Sequence, residues 1–443
     1  MPIDSVHPDY AAYKTEFKDC RNAYEGSRAV KKAGAVYLPP LTGQTSDEYE
    51  AYKKRAVFFG VTQKTVSALV GMAMMREPII KASDEMDPYF KDRQGAQFFE
   101  ILGSTIGEVS LMGGYGLLID APTQGGIPQI FKYTRESVIN WRVDPESNRL
   151  LMVMLHEFDI GTNPGDEYEY TKVDKWRKLY IGADGLYHVT IYDSDKKFVS
   201  DIAPTINRST IKEIPFFMIT PFGVNMEVVS PPMLDIVDLN LSLYRTSADL
   251  EHGRHFTGLP TPVVTGVEAT ELKIGSSTAW VLPNEKASAS YLEFTGQGLQ
   301  SLEKAVEEKQ SQMASMSARL IDNSKRGSEA EGTVRLRYMS ETASLTSTVR
   351  SVEEGLSQVY GRVAEFIQTT APEIILNKNF IDSKLSASDL TALVKAYTDG
   401  TMSKDTFLYN LRKADMISVH QDDDTEKAIM IEEGGVKPPK QVA

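Results

Sequence analysis

Cysteine is almost missing from this sequence: one residue, Cys20, in a chain of 443. A lone thiol closes no internal disulfide and builds no zinc knuckle, and its scarcity fits a reducing compartment. No apolar run reaches the ~18 residues of a membrane-spanning helix. The opening stretch, MPIDSVHPDYAAYK, has no apolar core of the secretory kind, so the expectation is that no signal peptide is present. Phosphate cradles are missing too. The glycine cluster MGGYG at 112–116 follows a helical stretch and precedes a strand, the reverse of the order a nucleotide loop requires, and reads as a tight turn. There is no GxSxG elbow and no HExxH. Positive charge is in deficit, with 48 Lys and Arg against 61 Asp and Glu and a formal net charge of −13. A protein that grips DNA by neutralising phosphates carries a basic face. This chain either ignores nucleic acid or lets it pass without holding it.

Few candidates for chemistry are left. EHGRH places His252 and His255 three apart near a helix end, beside Asp249 and Glu251. A metal pair serving a hydrolase is one reading, and a solvated helix end is the stronger one. Cys20 sits in an N-terminal helical stretch with no local motif for catalysis, and the acidic run at 422–424 lies in a polar tail. The sequence presents no catalytic constellation, no metal site and no cofactor motif.

What it does present is architecture. Apolar residues at three- and four-residue steps (Tyr52, Ala56, Phe59, Val66, Leu69, Val70, Ala73) predict one helix over 47–77, stopped by Pro78, and a second over 96–111. A strand is expected at 116–120. From 125 to 220, short β-branched and aromatic runs alternate with turn clusters, as in a largely antiparallel sheet region. Ser230 followed by Pro231 and Pro232 predicts a capped helix start. The stripe Leu234, Val237, Leu241, Tyr244 and Ala248 then runs to a stop at 257–260. Short strands are expected within 261–294. Helix resumes near 299, where Leu299, Leu302, Val306, Met313, Met316 and Leu320 form a seam with Lys309 in the skipped position.

The loop DNSKRGSEAEG (322–332) separates that helix from the longest one. Tyr338, Leu345, Val349, Val352, Leu356, Val359, Val363 and Phe366 keep a heptad rhythm over 331–369, ~58 Å at 1.5 Å per residue. Gly355 and Gly361 within it invite bending. Two shorter helices are expected at 386–399 and 403–415. The fold class is therefore α+β: helix, small β insert, helix, polar loop, very long helix. Two paired helices have too little depth to bury both of their seams alone. Either the rest of the chain or neighbouring copies must cover them, and neighbouring copies are the favoured expectation.

At this point the phrases YLPPLTGQTSDEYEAYKKRA, YGLLIDAP, INWRVD, PPMLDIVDLNLSLYRTSADLEHGRHFTGLPTPVVTG and WVLPNEKASASYLEFTGQGLQSLE carry a resemblance. In this order, across residues 8–415, they resemble the portal proteins of tailed bacteriophages, most closely a subgroup catalogued only as a domain of unknown function. The resemblance implies a ring, usually of twelve copies, at one capsid vertex, without enzymatic activity or cofactor. It implies a wing at 1–229, a first stem helix at 230–260, a clip at 261–297 and a second stem helix at 298–321. A tunnel loop at 322–332, a spine helix at 333–369 and a short crown and tail at 370–443 complete the set. The implied partners are other copies of the chain, double-stranded DNA passing without sequence specificity, the terminase large subunit, major capsid and scaffolding proteins, and a head-completion or tail adaptor. No membrane is implied, and the implied location is the virion, after assembly in the host cytoplasm.

Within that frame Asn323, Ser324, Lys325, Arg326, Glu329 and Glu331 are expected to face the channel, where an ordinary connector is the plainer alternative. Lys304 and Lys309 are expected as sparse stem cations, with pairing to an acidic neighbour as the other reading of Lys309. Trp280, Val281, Leu282 and Tyr291 are expected at the terminase-docking clip, where Trp280 reads equally as a core residue of the insert. Twelve helices ~10 Å thick, side by side, leave an opening of ~28 Å, against a duplex roughly 20 Å across. An acidic tube repels DNA, whereas a basic one would stall it. A helical scaffold or adhesion protein without a channel is the rival reading, and a metal-dependent hydrolase using His252 and His255 the weaker one.

Overall fold

The computed structural model describes residues 2–90, 96–120, 128–163, 166–206, 209–258, 261–265, 286–292, 297–321, 331–378, 380 and 387–413. They fall into two compact units. One is built from Met1–Ala11, Ala68–Val229 and Asn323–Ala443, the other from Ala12–Ser67 and Ser230–Asp322. The fold is mixed α and β. Among the described residues no helix is long and apolar enough to cross a membrane.

The N-terminal helices are α1 (Pro8–Glu25), α2 (Ser27–Ala33), α3 (Ser46–Arg55) and α4 (Val61–Ala73). The single helix expected over 47–77 is thus two. α3 opens on a reciprocal cap: the Glu48 amide donates to Thr45 Oγ1, and the Thr45 amide donates back to the Glu48 carboxylate. Such a cap is worth ~1 kcal/mol. At Ala56 the backbone turns extended, with ψ at 133°, and residues 56–60 carry Phe58 into the core. Ala56 and Phe59 fell at helical spacing, so periodicity ran straight through a break that tertiary packing makes.

In the first unit, β1 (Ile79–Lys81) precedes a short helix α5 (Asp87–Phe90) and then α6 (Ala96–Met112). α6 ends at Gly113, whose φ of 74° needs glycine. The MGGYG cluster is therefore a helix stop leading into β2 (Tyr115–Asp120). β3 (Gln129–Thr134), β4 (Val138–Val143), β5 (Leu150–Asn163), β6 (Asp166–Ile181), β7 (Tyr187–Tyr192) and β8 (Phe198–Ile202) follow. The small hairpin β9 (Thr205–Ile206) and β10 (Ser209–Thr210) then leads to β11 (Phe216–Thr220) and β12 (Gly223–Val224). β4 to β8 make a five-stranded antiparallel meander, as the alternation over 125–220 predicted. A second sheet has the order β12-β11-β2-β3.

That second sheet is packed by α6 and by α9 (Glu331–Ile367). Of the heptad residues of the long helix, Leu345, Val349, Val352, Leu356, Val359 and Val363 are buried and Phe366 is half-buried, while the side chain of Tyr338 lies outside the described residues. Tyr360 joins them between the rings of Phe90 and Phe98, at centroid distances of 4.8 and 5.5 Å. Gly355 does not mark a bend. It sits where α9 presses on β11, and a Cβ there would lie 2.5 Å from two atoms of the Ile219 side chain. After α9, β15 (Glu373–Ile375) pairs with β1. α10 (Ala387–Thr398) and α11 (Lys404–Lys413) then stack Tyr397 on Phe407.

Candidate functional site

The second unit holds the helix pair. α7 (Leu234–Thr257) is followed by the hairpin β13 (Thr261–Thr265) and β14 (Ser288–Leu292), then by α8 (Gln297–Ile321). The capped start expected at Ser230 is corrected. Pro231 and Pro232 lie in a turn closed by the Leu234 amide on the Pro231 carbonyl, and the helix begins after it with no side-chain cap. Its end at Thr257, just before Gly258, is where the stop residues place it.

α7 is buried on more than one face. Val237, Leu241, Tyr244 and Ala248 of the anticipated stripe are buried, and so are Ile236 and Leu243. The N-terminal segment covers part of this surface. Phe58 meets Tyr244 edge to face at 5.9 Å, and Asn240 Nδ2 donates to the Phe59 carbonyl at 2.9 Å. Tyr52, fully buried, donates its hydroxyl to Asp249 Oδ1 at 2.6 Å. The expectation that neighbouring copies cover both seams therefore does not hold for α7, whose apolar side is covered from within the chain. Sequence reasoning missed Tyr52 and Asn240 as partners, because they stand 197 and 181 residues from the groups they bind.

α8 lies against α7. Met313 is buried and Leu299 approaches Gly253, which has no side chain to obstruct it. Lys309 is the polar member of the α8 seam. Its ammonium donates to Ser242 Oγ at 2.9 Å and Thr246 Oγ1 at 2.6 Å, one turn apart on α7. Burial, followed by the nearby Arg245 charge, lowers its pKa. Within the chain Lys309 is a half-buried cation held by two hydroxyls of the facing helix, and among the described residues no carboxylate lies within ion-pair distance of it, although Asp249 is near enough to favour its charge. Ser242 and Thr246 at i and i+4, facing the skipped heptad position, were the signal that could have found it.

Lys304 is exposed, with Glu308 3.8 Å away. Near the hairpin end Arg254 bridges Glu251 at 3.0 Å and Glu303 of α8 at 2.8 Å. Exposed pairs of this kind contribute at most ~1 kcal/mol. The outward side of α8 is thus hydrophilic and mixed in sign. Tyr291 stands in β14 opposite Pro262, and Glu331 is the first residue of α9. Trp280, Val281, Leu282, Asn323, Ser324, Lys325, Arg326 and Glu329 lie outside the described residues.

Both histidines pack against aromatic rings. His252 packs edge-on between Tyr52 and Phe256, and the Asp249 carboxylate is engaged by the Tyr52 hydroxyl. Among the described residues no group of three His, Cys, Asp or Glu converges to hold an ion. Burial, then the charges of Arg55 and His255, depress the His252 pKa below 6.5. The folded chain keeps this ring neutral while the unfolded chain takes up a proton. The stability it contributes is present above pH 6.5 and is lost as pH falls from there towards the depressed folded value. The expected result is a melting temperature that drops on acidification below pH 6.5, and a shallower drop in His252→Phe, which keeps the ring packing. Equal slopes for the two proteins would remove His252 from this account.

Residues 232–367 match the family described as Domain of unknown function (DUF4055). The match runs from just before α7 to the last residue of α9, so it covers the helix pair, the hairpin and the long helix. It agrees with the subgroup that the sequence phrases resemble. No curated protein matches the chain. Among solved structures it is similar to a chain of "Virion of native gene transfer agent (GTA) particle", with 10% identity over 92% of this chain and 99% of that one and a TM-score of 0.41. It is also similar to a chain of "Neck of empty GTA particle computed with C6 symmetry", with 11% identity over 82% and 92% and a TM-score of 0.42. Likeness at this level does not assign a function.

Proposed function

We propose that the chain is the subunit of a portal ring in a tailed-phage-like particle, a channel for double-stranded DNA at one vertex of the capsid. The observation that carries the reading is the order α7, two-stranded hairpin, α8, long α9. The order is the one the resemblance implies for stem, clip, stem and spine, and the family match spans these elements from end to end. In this reading the hairpin end receives the terminase large subunit during packaging and a head-completion or tail adaptor afterwards, with Trp280, Val281, Leu282 and Tyr291 as contacts. Capsid and scaffolding proteins surround the ring. The tunnel loop, with Asn323, Ser324, Lys325 and Arg326 as donors and Glu329 and Glu331 as their counterweight, touches passing phosphates briefly.

Charge supports the mechanism. A net charge of −13 per copy makes a ring that repels the duplex, so DNA slides without being held. Lys304 is an exposed cation with a carboxylate beside it, which weakens its hold on phosphate. Force comes from a separate ATPase, since no P-loop is present in the sequence. Native mass spectrometry of the purified chain tests the reading: a discrete ring of about twelve copies is expected, the number the resemblance implies and one that leaves room for a duplex. A chain that stays monomeric at every concentration and salt, or that grows into open filaments, overturns it.

A further inference from the structure

The largest fully buried side chain among the described residues is a charged one, Arg135, at 1% exposure. It lies in the turn Arg135–Ser137 between β3 and β4, in the first unit. Its stem passes over Gly114, the second glycine of MGGYG. A Cβ there would stand 3.0 Å from Arg135 Cδ and 3.3 Å from Met218 Sδ, so the missing side chain is what makes room for the arginine. The guanidinium carbon then sits 4.7 Å from the centre of the Trp141 ring.

Neither terminal nitrogen of Arg135, Nη1 or Nη2, has a hydrogen-bond partner among the described residues. Buried charges are normally paired, and an aromatic face attracts a cation without taking up the N–H donors at its edge. Burial lowers the pKa to about 10, against the opposing influence of Tyr10, Asp9 and Glu136, so the side chain is still a cation at neutral pH. Asp9 is itself engaged by His7 at 3.5 Å. The chain thus supplies a negative field at Arg135 and no acceptor for its terminal donors. Residues 2–10 lie along this turn as a strap. The Tyr10 hydroxyl donates to the Glu136 carbonyl at 3.0 Å, the His7 ring stacks on Trp141 at 4.0 Å, and the His7 amide donates to the Ile139 carbonyl at 2.9 Å. Asn140 Nδ2 donates to the Ser5 carbonyl, and Lys196 pairs with Asp4. At 1% exposure a phosphate ester or a peptide carboxylate has no route to the guanidinium. A single small ion enters when a terminal segment of this kind frays.

We propose that the terminal nitrogens of Arg135 hold one small inorganic monoanion of the chloride class, enclosed by Trp141, the Gly114 turn and the strap of residues 2–10. One negative charge balances the guanidinium, and a spherical ion accepts N–H donors from several directions without a fixed geometry. The ion is shielded from water only while the strap is closed, so occupancy and strap closure favour each other. The site lies within a single chain and does not depend on the portal reading.

The test uses the full-length chain. Crystals grown in bromide should show an anomalous-scattering peak beside Nη1 and Nη2 of Arg135. At constant ionic strength, with chloride replacing the bulky anion gluconate from 1 to 100 mM, the wild-type melting temperature should rise by roughly 3 °C or more. Exchange of the His7 amide should slow by about threefold or more over the same range. Arg135→Met, which keeps the stem and removes the donors, should show neither response. Should that variant fail to fold, the bromide peak and the wild-type exchange rates decide the matter. A water or a protein carboxylate at Arg135 in place of bromide, a wild-type chain indifferent to chloride, or an equal chloride response in Arg135→Met overturns the proposal and leaves the portal reading standing.

Discussion

Gly355→Val is expected to destabilise the first unit by about 3 kcal/mol or more, at the top of the range for overpacking a core. A Cβ at position 355 would stand 2.5 Å from Ile219 Cδ1, 2.5 Å from Cγ1 and 3.3 Å from Cγ2. Ile219 is fully buried in β11, between β12 and β2, so it has nowhere to move. Alanine at the same place gains ~1 kcal/mol of helix propensity over glycine and sets it against the same clash. Its net loss should therefore be smaller, and valine adds two methyl groups with no such compensation. Gly361 is the control, because nothing lies within 4 Å of its Cβ position. Gly361→Ala should be neutral or stabilising by up to ~1 kcal/mol. Urea melts of the three variants decide the matter, and a Gly355→Val midpoint equal to wild type would show that α9 does not press on β11.

Tyr244→Ala should be about as costly, ~3–5 kcal/mol, as for other large aromatic truncations in a core. Its side chain is 1% exposed and packs on Phe58. Burial pushes its pKa up to about 12. The hydroxyl finds no hydrogen-bond partner among the described residues. Tyr244→Phe should thus be neutral, or stabilising by ~1–3 kcal/mol, the cost of leaving a buried polar group unmade. The pair discriminates between two ideas about α7. If its apolar side is covered within the chain, Tyr244→Ala lowers the melting point of dilute, unassembled protein. If that side were covered only by neighbouring copies, dilute protein would melt unchanged and ring formation alone would suffer.

Both substitutions bear on how much the sequence revealed. Heptad spacing located α9 and its buried residues from Leu345 to Val363, because a helix lying on a sheet buries one continuous stripe whatever the partner is. The same rhythm misled at 47–77, where Ala56 and Phe59 fit the period while the backbone leaves the helix. It also left Gly355 as a flexible point, although its missing side chain is what lets α9 reach Ile219. In the candidate site the helix ends at Thr257 and Ile321 were legible from stop residues and seam length. The hydroxyl cradle of Lys309 was not, since Ser242 and Thr246 gain their meaning only once α8 lies against α7.

By itself, the sequence determined the α+β class, the order of helices and strands, the scarcity of chemistry-bearing motifs and the acidic balance, all of which follow from composition and local periodicity. Only the tertiary structure decided which surfaces are already satisfied. It showed α7 covered in part by a segment some 180–200 residues earlier, and Lys309 held by hydroxyls of the facing helix. The physical reason is that periodicity encodes how a side chain is oriented on its own element, whereas burial depends on which distant element comes to cover it.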